Sequence, residues 1–122
     1  MSWTLDRPDG ADLDVNAWNW RPTLALFEQN GLLDDEKLAL LEYNVTVAIT
    51  PDEARRIASF LDGYLGAVPL DGRVLVDGSV TSEPDDFQLH RDDLARNYSA
   101  TAAWLRELRD FCRGAEEGFT VS

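Results

Sequence analysis

His90 is the only histidine in this chain and Cys112 the only cysteine, so any nucleophile–base pair built on imidazole or thiolate must use them. In "LHRDD" the imidazole stands close to Asp92 and Asp93, which could orient it as a base. Cys112, however, shares the apolar side of a helical pattern with Leu108 and Phe111, where cysteine serves as a small buried hydrophobe. No nucleophile elbow or oxyanion-hole motif accompanies either residue. The sequence therefore predicts a protein that is not an enzyme, with no catalytic residue and no cofactor.

The next candidate is a metal loop. "DGSVTSEPDD" sets Asp77, Ser79, Thr81, Glu83 and Asp85 at alternate positions. An EF-hand loop needs glycine at its sixth position and a bidentate glutamate at its twelfth; counted from Asp77, those positions hold Ser82 and Gln88. An acidic, solvated loop is the expectation, with no metal site. No glycine-rich loop follows a strand, so phosphate cradling is not expected. "NVT" and "NYS" match glycosylation sequons, which carry no information without a secretory signal.

The aromatic string "VNAWNWRPT" is the remaining chemistry. On a strand, Trp18 and Trp20 would point the same way and present two parallel rings to a planar or sugar-like ligand. Arg21 would add a cation–π contact or a carboxylate clamp. The competing reading is a core anchor, with each indole N–H bonded to a main-chain carbonyl. The string lies where a hairpin joins a helix opening at Pro22, and that position favours the anchor.

Charge narrows the partners. The chain of 122 residues carries 23 acidic against 11 basic side chains, a formal charge of -12. Such a field repels phosphate backbones and anionic membranes and attracts a basic protein. Neither nucleic acid nor membrane is an expected partner. A non-enzymatic, acidic interaction module follows, of the kind an immunity or antitoxin-like protein would use on a basic partner such as a nuclease toxin. The binding residues expected are Trp20 and Arg21, joined by Glu83, Asp85 and Asp86 of the acidic loop. The alternative is a small-ligand or sugar-binding domain using Trp18 and Trp20 as a pair.

The elements that must position these residues can be read from pattern. "SWTLDRPDGADLDV" predicts a β-hairpin turning at "RPDG". A helix follows from Pro22, with Gly31 as its terminator, and a second short helix is capped by Asp34. Val45, Val47 and Ile49 alternate as a strand or an extended connection. Thr50 caps a helix over 51–65, with Ala54, Ile57, Ala58, Leu61 and Leu65 at helical spacing. "GRVLVDGSV" reads as a strand or a packed loop, and "TSEPDDFQLHRDD" as a surface loop with a helical turn near Leu94. The last helix starts at the Ser99 cap and ends at Gly114, and Phe119 and Val121 alternate as a terminal strand. One α+β domain over 1–122 is expected: an N-terminal β-hairpin and a C-terminal strand in a small antiparallel sheet, packed on three or four helices. "MSWTLDRPDG" has neither the basic nor the apolar region of a signal peptide, and a reducing cytoplasm is the expected setting.

Asn16, Trp18, Trp20, Arg21 and Pro22 form an Asn-x-Trp-x-Trp-Arg-Pro string, and Gly118, Phe119 and Val121 a Gly-Phe-x-Val ending. In both, the chain resembles a group of small bacterial proteins of unassigned function. Glu117 stands where that group's pattern has a second glycine. The resemblance implies one domain whose two ends share a sheet, and it implies no catalytic residue.

Overall fold

The computed structural model describes residues 2–84, 91–92 and 97–122. Among these, the chain runs β1 (Ser2–Asp6), β2 (Asp12–Asn16), α1 (Ala17–Gln29), α2 (Asp35–Leu41), β3 (Val47–Ile49), α3 (Pro51–Leu65), β4 (Arg73–Leu75), β5 (Val80–Thr81), β6 (Ser99–Thr101), α4 (Ala102–Arg113) and β7 (Phe119–Val121). The fold is α+β. The N-terminal hairpin and the C-terminal strand share a four-stranded antiparallel sheet of order β2-β1-β7-β3.

The hairpin turn follows from its residues. Gly10 N–H donates to Arg7 O at 3.0 Å, and Arg7 N–H donates to Ala11 O at 2.9 Å. Gly10 takes φ +95, a conformation that costs glycine little. Alternation then sends Trp3, Leu5 and Val15 inward, all buried, and Asp12, Asp14 and Asp6 to solvent. Gly118, at φ +79, brings β7 against β3 so closely that a Cβ there would lie 2.3 Å from Ile49 O.

α1 begins five residues before Pro22, where the sequence pattern placed its start. Asn16 Oδ1 accepts from Asn19 N–H at 3.1 Å, and this cap outcompetes the proline signal. Pro22 therefore sits inside the helix. α3 matches its predicted limits, because Thr50, Pro51 and Glu53 complete a capping box at its start. Ser99 does not cap α4: it lies in β6, and Thr101 Oγ1 accepts from Trp104 N–H at 3.1 Å instead. "GRVLVDGSV" resolves into β4 and β5, which join β6 in a second sheet of order β5-β4-β6.

One continuous hydrophobic core joins the inner face of the first sheet to all four helices. Two indoles close its floor. Trp3 Nε1 donates to Tyr43 O and Trp20 Nε1 to Leu41 O, each at 3.0 Å, and the two rings lie 6.1 Å apart. Leu41 ends α2, so Trp20 satisfies a carbonyl that the helix terminus leaves without a partner.

Candidate functional site

Trp18 and Trp20 sit on the first turns of α1, where residues two apart face about 200° away from each other. The strand geometry that would make them a parallel pair does not occur. Trp20 is 2% exposed and its N–H is committed to Leu41 O, so it is removed from the expected binding set: the joint it closes is core. Trp18 is 50% exposed.

Arg21 is exposed one turn further along α1. Between it and Trp18 stands Tyr98, just before β6. The Trp18 and Tyr98 rings lie 5.2 Å apart at a 38° tilt, and the Arg21 guanidinium sits 5.4 Å from the Tyr98 ring centre. An exposed indole, a half-buried phenol and an exposed guanidinium thus form one row, with the cation on an aromatic face.

On one side of this row opens a groove of about 640 Å³, lined by Asn16, Trp18, Asn19, Leu70, Arg73 and Glu83 among others. Its walls are tied together. Asn19 Oδ1 accepts from Thr101 N–H at 3.0 Å, joining α1 to β6. Arg73 Nε donates to Glu83 O at 2.8 Å, and Glu83 N–H donates to Thr81 Oγ1 at 3.1 Å, which hold the acidic rim. Leu70 is 81% exposed at the groove. On the other side lies a hollow of about 420 Å³ that includes Arg21, Glu28, Glu42, Val76 and Tyr98.

Of the expected binding residues, the structure brings Glu83 to the groove that Trp18 lines and places Arg21 beside it. Asp85 and Asp86 lie outside the described residues, as do His90, Asp93 and the predicted helical turn at Leu94. Leu70 and Tyr98 were not expected. No local pattern around either residue signals that Leu70 lines the groove or that the Tyr98 ring lies against Trp18 of α1.

The other chemical candidates fall into structural roles. Asp77 Oδ1 accepts from both the N–H and the hydroxyl of Ser79, at 2.9 and 2.6 Å, and these bonds hold its carboxyl below the usual range. Among the described residues, no group of three or more His, Cys, Asp and Glu is placed to hold a metal ion. Cys112 is buried, and burial pushes its thiol up to about 12, although the Arg7 charge pulls the other way. Such a thiol is a poor nucleophile at neutral pH. Arg7 is itself engaged, with Nη1 donating to Phe111 O at 3.0 Å and Nη2 paired to Asp9 at 2.5 Å.

Among the described residues, no helix is long and apolar enough to cross a membrane. No protein-family model, no curated protein and no solved structure matches the chain.

Proposed function

We propose that this protein is a non-enzymatic interaction module whose Trp18 groove engages a basic protein partner, in the manner of an immunity or antitoxin-like protein acting in a reducing cytoplasm. One observation carries the reading: Leu70 and Trp18, 81% and 50% exposed, line the same groove. Two large apolar side chains opening on one groove give a partner something to bury, and an aromatic anchor beside an arginine is the composition of a binding hot spot. The charge of -12 supplies the long-range term, steering a cationic surface toward the site.

The test is capture and identification of partners, followed by calorimetry with the purified partner. Binding should weaken as salt rises, and Trp18→Ala should remove at least about 2 kcal/mol of affinity. A partner that is not basic, or an affinity indifferent to both salt and Trp18, sinks the reading.

A second reading has its own support. One face of Trp18 borders a groove whose walls include Asn16, Asn19 and Arg73, polar groups suited to hydroxyl-rich ligands. It no longer involves Trp20. Titration with mono- and oligosaccharides, followed by indole fluorescence, separates the two, since a sugar stacking on Trp18 changes its emission and a protein-only site ignores it.

A further inference from the structure

The four-stranded sheet has an edge whose main-chain pattern can be derived. Thr4 exchanges both main-chain hydrogen bonds with Ser122, at 2.8 and 3.0 Å, so its N–H and C=O point toward β7. β1 sets Thr4 opposite Asp14 and Asp6 opposite Asp12. Bonded and unbonded pairs alternate along an antiparallel ladder, so Leu13 and Val15 bond to β1 while Asp12 and Asp14 do not. The turn gives the same phase, because Arg7 N–H donates to Ala11 O at 2.9 Å. The N–H and C=O groups of Asp12 and Asp14 therefore point out of the sheet. Among the described residues, β2 pairs with β1 alone.

Charge decides what this edge can accept. The side chains of Asp12 and Asp14 are exposed, and Asp6 lies directly across from Asp12 on the same solvent face. A second copy pairing here would bring carboxylates against carboxylates, which cross-strand neighbours do not tolerate well, and acidic edges commonly deter such self-association. A strand with lysine or arginine at alternate positions meets the carboxylates of Asp12 and Asp14 as counter-charges, with Asp6 one strand further in, while its main chain bonds to the edge. β2 also leads somewhere. It ends at Asn16, which lines the groove together with Trp18.

We propose that the open edge of β2 receives an extended cationic segment of the partner as a fifth strand, which continues past Asn16 into the Trp18 groove. The continuation rests on the groove being an interface; the edge itself can be tested without it. The mode explains how a small acidic chain gains specificity: main-chain pairing fixes the register, and alternate side chains read charge.

The probe is a short blocked peptide alternating lysine and valine, with a glutamate–valine peptide as its counterpart. The readout is amide hydrogen exchange of isotope-labelled protein. At about ten times its Kd, the lysine peptide should slow exchange at Asp12 and Asp14, whose outward N–H groups exchange without any opening of the fold, about tenfold. The glutamate peptide should do nothing. The double variant Asp12→Lys/Asp14→Lys should reverse this preference. Asp14→Pro deletes one outward N–H at a solvent edge and should abolish protection of Asp12. If Asp14→Pro does not fold, the charge-reversed double variant still decides the question.

No slowing at Asp12 and Asp14, equal slowing with both peptides, or slowing that grows with protein concentration alone overturns the edge proposal. Peptide effects confined to Trp18 and Tyr98 overturn it too, while sparing the groove. Protection at the edge that persists in Trp18→Ala supports the edge even where the groove reading fails.

Discussion

Trp104 Nε1 donates to Thr23 Oγ1 at 2.9 Å, and that hydroxyl in turn donates to Asn19 O at 2.7 Å. Thr23 is fully buried and Trp104 nearly so, which makes this chain the polar link between α4 and α1. One hydroxyl serves as donor and acceptor at once, a role that neither valine nor alanine can fill. Thr23→Val keeps the shape but leaves the indole N–H unpaired, and should cost about 1–3 kcal/mol, while Thr23→Ser should cost clearly less. Urea unfolding of the two variants checks this. Equal losses would mean that packing of the methyl, and not the hydrogen bond, matters at Thr23.

The α3 segment was legible because several signals agreed: a threonine cap, proline at the first position, glutamate three residues on, and apolar residues at one helical face. Trp3 and Leu5, like Phe119 and Val121, alternate as strands in a half-buried sheet must. Where two local signals competed, the sequence misled. Asn16 and Pro22 each mark a helix start, and only the fold decides that Asn16 wins. At Ser99 and Thr101 the closer hydroxyl took the cap, leaving Ser99 free for β6. Glu83 was visible as part of an acidic loop, and Arg21 as a cation beside two tryptophans. Leu70 and Tyr98 were not, because the groove is closed by long-range contacts such as Thr101 N–H to Asn19 Oδ1, which no local pattern encodes.

Glu53 gives a defined acid response. Burial, the largest single influence, opposes its charge. The bond from Lys37 Nζ at 2.5 Å and the Thr50 N–H at 2.9 Å together outweigh it, and the carboxyl is held below its ordinary value of 4.5. Because the folded value is depressed, the folded state binds this proton less tightly than the unfolded chain. The stability it adds is full above the unfolded value and is lost as pH falls through the folded one. Glu53→Gln should therefore cost about 1–2 kcal/mol at neutral pH, with the gap to the parent closing below about pH 4. Urea midpoints across that range measure it. A gap independent of pH would assign the loss to geometry instead of charge.

Cys112 has the opposite sign at the alkaline end. Burial raises its thiol to about 12 from an ordinary value of 9.0, against the pull of the Arg7 charge. The folded state thus holds this proton more tightly than the unfolded chain does. The stability contributed is full below the unfolded value and lost as pH rises through the window between the two. At neutral pH the thiol should stay inert to iodoacetamide until the protein opens. Labelling across a urea series should follow the unfolding curve recorded by circular dichroism. Labelling that runs ahead of it would reveal a local opening around α4.

The two tryptophans of the α1 string should separate cleanly in stability. Trp20 fills the core, contacts Trp3 and satisfies the end of α2, so Trp20→Ala should cost about 3–5 kcal/mol. Trp18 is half exposed and packs chiefly on Tyr98, so Trp18→Ala should cost no more than about 1 kcal/mol, the worth of one partly solvated ring pair. Acrylamide should quench the Trp18 emission in the folded protein, and the residual spectrum of Trp18→Ala should resist quenching. A large loss of stability on removing Trp18 would make its ring a structural strut for β6, and would leave Leu70 as the apolar residue free to meet a partner. A small loss keeps the indole available, because a side chain that contributes little to folding is free to contribute to binding.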